Sequence, residues 1–181
     1  MRQYQKMLSN GEYENFFRAF NKHELLSLSE RVTVRDRNDE KFYQMALVFV
    51  LRCVLGTEFV TPEGATAQGY LDIGVELPKE CVIIETKVLN ANTTKPVWEG
   101  KKYDSKTRLD EMSKRYSEMA KVAMDQIATK NYERFHLFAK DKPKVHIAIV
   151  ADGYKRHLAW ATIKRGEQKR DLMLLEGVTN V

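Results

Sequence analysis

Residues Gly69–Val88 read GYLDIGVELPKECVIIETKV. The first part alternates. Leu71, Ile73, Val75 and Leu77 share one face, and Tyr70, Asp72, Gly74 and Glu76 share the other, which is the period of a β-strand. Pro78–Glu80 supplies a turn. Cys81–Val88 is β-branched and almost wholly apolar, as in a strand covered on both faces. Two strands joined by so short a turn predict an antiparallel hairpin. The second strand nevertheless carries two charges, Glu85 and Lys87, which at period two point to the same face. Hairpin pairing can set Asp72 beside Glu85. A buried charge costs several kcal/mol unless it is paired or bound to a metal, so this hairpin is where chemistry is expected.

On the N-terminal side, Gly11–Phe20 and Glu24–Arg31 read as short helices and Arg35–Asn38 as a loop. Asn38 can cap a helix running to about Val54, with Asp39 and Glu40 in its acidic first turn. Phe42, Ala46, Phe49, Val50 and Cys53 would form its apolar face, and Gly56 can close it. Glu58–Thr61 suggests a short strand ended by a Pro62–Gly64 turn. On the C-terminal side, Asn90–Gly100 reads as a polar loop. A long helix follows, from Tyr103 or Asp104 to about Lys130, with Leu109, Met112, Tyr116, Met119, Ala120, Ala123 and Ile127 recurring at three and four. Tyr132–Phe138 is an aromatic turn or helix. Lys144–Val150 and His157–Ile163 are strands turning at Asp152–Lys155, and the tail Gln168–Glu176 is read as helical. The succession predicts an α/β fold with a mixed central sheet flanked by helices. It is read as one domain over residues 1–181: N-terminal helices 1–37, a core 38–163 and a basic tail 164–181.

Composition supports a folded chain. It has 181 residues, 43% hydrophobic and 30% charged, which excludes a disordered class. Nine glycines and four prolines are well under the usual ~12% and favour long regular elements. The longest apolar run, Met45–Leu51, is far short of the ~20 residues that span a bilayer, so no membrane partner is expected. The polar start (Arg2, Gln3, Gln5, Lys6) does not read as a signal peptide. Cys53 and Cys81 sit in apolar runs and read as buried thiols of a reducing, cytoplasmic compartment. The net charge is +5. Residues 95–115 hold seven basic side chains against four acidic ones, and residues 164–170 hold four against one. Such segments suit a polyanion, nucleic acid above all; Lys95, Lys101, Lys102, Lys106 and Arg108 are the contacts expected first.

Two carboxylates a few Å apart make an oxygen-rich seat for Mg²⁺ or Mn²⁺, and they repel each other unless a cation lies between them. Lys87 can neutralise charge that grows on a phosphoryl group. Together they suit phosphodiester hydrolysis. The bare pattern acid-x-Lys is uninformative, because it also starts at Asp39, Glu99, Asp104 and Glu167. Only the copy at Glu85 lies in an apolar β-run with an acid in the strand before it. His23, His136, His146 and His157 lack zinc spacing, and no serine or cysteine nucleophile motif is present.

Asp72…Glu85-x-Lys87 in a hairpin, after a helix starting near Asp39, resembles the PD-(D/E)XK nuclease superfamily with its restriction-endonuclease-like core. More narrowly, the chain resembles the nuclease domain found C-terminal to AAA-type ATPase domains in bacterial and archaeal proteins. The segments that carry this are NFFRAF (15–20), DEKFY (39–43), QGYLD (68–72), IIETK (83–87), AMDQIATKNY (123–132) and IAIVAD (147–152), over about residues 11–163. The resemblance implies metal ligation by Glu40, Asp72, Glu85 and the carbonyl of Thr86, with Lys87 as the catalytic lysine. It implies that Gln126 faces the site and that Tyr132 matches the following tyrosine. The usual proline before the first acid is replaced by Leu71. No phosphate-binding G-x-x-x-x-G-K-[ST] loop is present. Residues 89–117 are longer than the usual connection, as a substrate-contacting insertion or a dimer arm would be.

The function expected is therefore a Mg²⁺- or Mn²⁺-dependent deoxyribonuclease. The alternative from another class is a catalytically inactive module on the same fold that binds nucleic acid or a protein partner, effector-like. Sequence leaves a homodimer and a separate protein partner open.

Overall fold

The structure is a computed structural model and describes residues 1–25, 33, 38–66, 69–130, 132 and 138–175. Six strands form one mixed sheet in sequential order: β1 (Val60–Thr66), β2 (Gly69–Glu76), β3 (Cys81–Leu89), β4 (Lys144–Asp152), β5 (His157–Arg165) and β6 (Gln168–Met173). Every neighbouring pair is antiparallel except β3 and β4. That parallel pair needs a crossover, and α4 (Ala91–Glu99) and α5 (Ser105–Thr129) supply it. The earlier helices are α1 (Arg2–Ser9), α2 (Tyr13–Phe20), continued by a π turn over Asn21–Leu25, and α3 (Glu40–Leu55).

Alternation along the central strands explains the layering. Val82 and Ile84 of β3, with Val145, Ile147 and Ile149 of β4, pack on one side against Phe16, Phe17 and Phe20 of α2 and Leu47 and Leu51 of α3. Ala148 and Val150 face the other side, where Met112, Tyr116, Ala120 and Ala123 of α5 cover them. Cys81 and Ile83 continue that side and meet Leu71, Ile127, Tyr132 and Phe138. The sheet thus carries helices on both faces, and β3 is buried on both, as its sequence demanded.

Several local expectations are corrected. The α3 cap is Asp39, whose carboxylate accepts from the Lys41 N–H at 2.9 Å, and not Asn38. The buried face of α3 holds Tyr43, Leu47, Val50 and Leu51, while Phe49 and Cys53 are exposed. Ala46 and Val50 of the expected stripe are buried and Phe42 packs on the core, so the inward face is rotated toward Tyr43, Leu47 and Leu51 rather than reversed. Thr57–Phe59 is a 3₁₀ turn, and Pro62–Gly64 lies within β1. β1 is an edge strand, where proline's missing N–H is tolerated. Leu71 packs with Ile83 and away from Ile73, so the alternation of β2 breaks at Asp72. Residues 91–99 are helical despite Pro96, because Asn90 caps them through the Asn92 N–H at 2.8 Å. The tail Gln168–Met173 is a strand pairing with β5. α1 was not anticipated. Residues 26–31 of the second expected helix, the 35–37 loop and most of 133–138 lie outside the described residues.

Candidate active site

The β2–β3 ladder runs to Ile73↔Ile84, so the next step sets Asp72 opposite Glu85. Glu85 lies on β3 opposite Ala148 of β4 and is wholly buried. Its Oε1 accepts from Lys87 Nζ at 3.0 Å, and its Oε2 has no hydrogen-bond partner among the described residues. Asp72 Oδ2 accepts from the Thr86 N–H at 2.8 Å, and Gln44 of α3 holds the Asp72 carbonyl at 2.9 Å. The break in β2 alternation is what lets the Asp72 carboxylate turn toward the β3 backbone.

Lys87 gathers the remaining groups. Its ammonium donates to Glu85 Oε1 at 3.0 Å, to Glu40 Oε1 at 3.1 Å and to the Thr86 carbonyl at 3.1 Å. Glu40 opens α3, and Asn38 just before it accepts from the Ala91 N–H at 2.7 Å. That bond ties the starts of α3 and α4 together beside the end of β3. A single cation therefore rests among oxygens from a helix, a strand side chain and a strand carbonyl.

The protonation balance follows from burial and charge. Burial, and then the negative charge of Asp72, push the Glu85 carboxyl up to about 7, against the pull of Lys87 and Lys130. Burial also raises Asp72. Glu40 adds to that rise, while the Thr86 N–H, Lys87 and Lys130 oppose it. Burial works against the charged form of Lys87, but Glu85 and Glu40 together outweigh it and raise its pKa.

A family model of the PD-(D/E)XK nuclease superfamily matches residues 38–161, more than half of the chain. The chain belongs to the PD-(D/E)XK nuclease superfamily. The matched span runs from just before Glu40 to the middle of β5 and includes every carboxylate just described. Members of the PD-(D/E)XK superfamily are generally nucleases and typically use divalent metals. No curated protein and no solved structure matches the chain.

The expected site residues of this superfamily member divide in three. Glu40, Asp72, Glu85, Thr86 and Lys87 come together. Gln126 is one step removed: its Nε2 donates to the Tyr132 hydroxyl at 3.4 Å, and that hydroxyl donates to the Tyr70 carbonyl, two residues before Asp72. The basic side chains lie farther off. Lys101, Lys102 and Lys106 are exposed around the α4–α5 turn, and Lys95 faces Glu99 at 3.7 Å. Arg108 donates to the Gly100 and Tyr103 carbonyls at 3.3 and 3.1 Å and so braces that turn. α4 spans about 13 Å, which sets the distance of this cluster from the end of β3.

The 164–170 segment lies elsewhere. Arg165 sits level with Val145, and Lys87 sits level with Val150. At about 3.3 Å per residue the separation along the sheet is roughly 17 Å. Arg165 pairs with Glu80, Arg170 with Glu14 and Lys169 with Asp171.

Two residues near the site went unread in the sequence. Lys130 influences both carboxyls from the end of α5. Asp152, which ends the IAIVAD segment and opens the β4–β5 turn, is buried, and its carboxylate accepts five hydrogen bonds: from Thr94 Oγ1, Trp98 Nε1, Tyr116 OH and the Tyr154 and Lys155 N–H groups. An acid ending an apolar strand, close to an aromatic-bearing helix, was the only available signal.

Proposed function

We propose that this chain is a divalent-metal-dependent nuclease that hydrolyses phosphodiester bonds, with DNA as its substrate. One observation carries the reading: the Lys87 ammonium is held by three of the four groups expected to bind a metal, Glu40, Glu85 and the Thr86 carbonyl. The fourth, Asp72, stands across from Glu85. Such a set of oxygens is built for positive charge.

The donor chemistry suits Mg²⁺ or Mn²⁺, both of which prefer carboxylate and carbonyl oxygen. The buried, unpartnered Oε2 of Glu85 is a free ligand position. Among the described residues no three His, Cys, Asp or Glu side chains converge. Asp72, Glu85 and the Thr86 carbonyl would hold the ion, with Glu40 as the further oxygen donor beside them. When bound, the metal polarises a phosphoryl oxygen and lowers the pKa of a water. The chain's own part is positional and electrostatic. Asp72 is fixed through both its carboxylate and its carbonyl. Glu85 is fixed by burial and by Lys87. Lys87 presents a charge that is most useful as negative charge grows on the phosphoryl oxygens.

Incubating supercoiled plasmid with the protein and Mn²⁺ tests this reading. Nicking that disappears in Asp72→Ala and Glu85→Ala, together with loss of Mn²⁺ binding by calorimetry, is the expected result. DNA binding without nicking would replace the nuclease with a binding module.

A further inference from the structure

Lys87 is held by Glu85, Glu40 and the Thr86 carbonyl. A second cation lies nearby. Lys130 follows the last residue of α5, and its N–H donates to the Gln126 carbonyl at 3.0 Å, so the two side chains share one turn. The Lys130 side chain runs along Gly69, three residues before Asp72. A Cβ at Gly69 would approach its Cδ to 3.3 Å and its Cε and Nζ to 3.5 Å. Gly69 has φ +140°, a conformation that L side chains rarely adopt, so the position keeps this lane open. On its other side the Lys130 ammonium lies 5.9 Å from the centre of the Tyr132 ring. Tyr132 is buried, and its hydroxyl is anchored on the Tyr70 carbonyl.

Lys130 is thus steered by a glycine lane and an aromatic face, yet among the described residues its ammonium has no carboxylate within 4.0 Å. An ordered lysine beside acidic groups ordinarily closes an ion pair. This one lies beside Gly69 of β2, close enough for its charge to act on both Asp72 and Glu85, while Lys87 projects from β3.

We propose that Lys130 is a substrate contact, which binds a phosphate of the nucleic-acid strand next to the Asp72–Glu85 pair. The proposal rests on the nuclease reading above and adds the residue that offsets carboxylate repulsion of the incoming phosphodiester. A phosphate between Lys130 and the carboxylates gains a charge-assisted hydrogen bond and releases one counterion. Because the contact exists before chemistry, it acts on affinity first. Tyr132 and Gly69 are positioning residues for it.

The test uses a fluorescent duplex DNA oligonucleotide. Its affinity for wild type, Lys130→Ala and Lys130→Arg is measured across salt concentrations with Ca²⁺ in place of Mn²⁺. Single-turnover cleavage in Mn²⁺, Mn²⁺ calorimetry and thermal melts are run in parallel. We expect Lys130→Ala to bind about tenfold more weakly, with a log–log salt slope smaller by about 0.9. Its Mn²⁺ affinity and melting temperature should match wild type, and arginine should restore the slope. An unchanged slope in Lys130→Ala, with wild type cleaving normally, overturns the Lys130 contact and leaves the nuclease reading intact. A lowered melting temperature with an unchanged slope assigns Lys130 to folding and likewise overturns it. If wild type neither binds nor cleaves the oligonucleotide, the nuclease reading fails and the Lys130 contact falls with it.

Discussion

Lys87 and Glu40 lie 47 positions apart in the chain, and their side chains meet at 3.1 Å. This ion pair joins the first turn of α3 to the exit of β3, across the space where Glu85 and Asp72 oppose each other. Glu40 is 39% exposed and Glu85 fully buried, so the two carboxylates that share this ammonium are not equivalent. The outer pair is solvent-screened and contributes little to stability. The inner pair relieves a buried charge, and its loss is costly.

Replacing Lys87 should therefore have two separable effects. On the nuclease reading, Lys87→Ala lowers single-turnover cleavage by roughly a hundredfold or more, because a donor aimed at developing charge is lost. Metal affinity stays close to wild type, since no ligand oxygen is removed. The metal-free protein should also melt lower at pH 8, where wild type gains from the Glu85–Lys87 ion pair and the variant cannot. At pH 5 Glu85 is protonated, and the melting difference should shrink. A variant that cleaves at the wild-type rate would remove Lys87 from the chemistry.

Glu85 makes the metal-free protein pH-sensitive in a direction opposite to an ordinary paired carboxylate. Its carboxyl titrates near the usual value of 4.5 in the unfolded chain and at about 7 in the folded one. Between those values the folded state holds the proton more tightly, so stability falls as pH rises through the window and levels off above about 7. Asp72, also raised by burial, adds in the same sense. The Glu85 contribution is on the order of 3 kcal/mol. Urea unfolding of metal-free protein between pH 5 and 8 should show the decline, and Glu85→Gln should flatten most of it. Stability that rises over this range would contradict the burial of an ionisable group here.

The hairpin that carries the site was legible because Asp72, Glu85 and Lys87 interrupt strands whose apolar pattern is otherwise unambiguous. The central strands and α5 were legible for the same reason: a long, clean period overrides local noise. Residues 91–99 were not, because Asn, Thr and Pro are common in loops, and only the Asn90 cap and the burial of Val97 and Trp98 select a helix. β6 was missed because QKRDLM is polar. Its strand conformation comes from backbone pairing with β5, which no side-chain pattern announces. Lys130 and Asp152 escaped notice because their surroundings are assembled from distant segments. Lys130 meets Gly69 and Tyr132, and Asp152 meets α4, α5 and the β4–β5 turn.

Asp152 predicts the largest loss of stability outside the carboxylate pair. Its carboxylate accepts from Trp98 Nε1 at 2.7 Å and Tyr116 OH at 2.5 Å, and both side chains are buried. Asp152→Ala strands these two donors, while Thr94 Oγ1 keeps the Asn90 carbonyl at 3.4 Å. Each unsatisfied buried group costs about 1–3 kcal/mol, so a loss of roughly 4 kcal/mol and a melting temperature about 10 °C lower are expected. Asp152→Asn keeps one acceptor oxygen and should fall in between. A calorimetric melt of the two variants decides; a wild-type melt for Asp152→Ala would mean that the network contributes no net stability.

The two basic segments should behave differently toward DNA, although their compositions are alike. Lys101, Lys102 and Lys106 are exposed, and none of the three pairs with a carboxylate within 4.0 Å among the described residues. They stand one short helix from the end of β3, the side from which the nuclease reading brings a strand to Asp72 and Glu85. In the β5–β6 hairpin, Arg165, Lys169 and Arg170 are each paired with an acid, at 2.8, 3.6 and 2.6 Å. Along the strands, Arg165 at its turn lies roughly 17 Å from the level of Lys87, and Lys169 and Arg170 sit three strands away from β3. A cation already neutralised within the protein releases few counterions when DNA binds, and one far from the site meets the strand less often. Replacing Lys101, Lys102 and Lys106 together by glutamine should reduce the log–log salt slope by as much as about 0.9 for every phosphate these lysines neutralise. It should weaken binding of any DNA sequence similarly. Replacing Lys169 and Arg170 by glutamine should leave the slope within error of wild type. Affinity titrations at several salt concentrations on both sets make the comparison. A larger slope change from the hairpin set would move the DNA path to the β6 edge and away from α4.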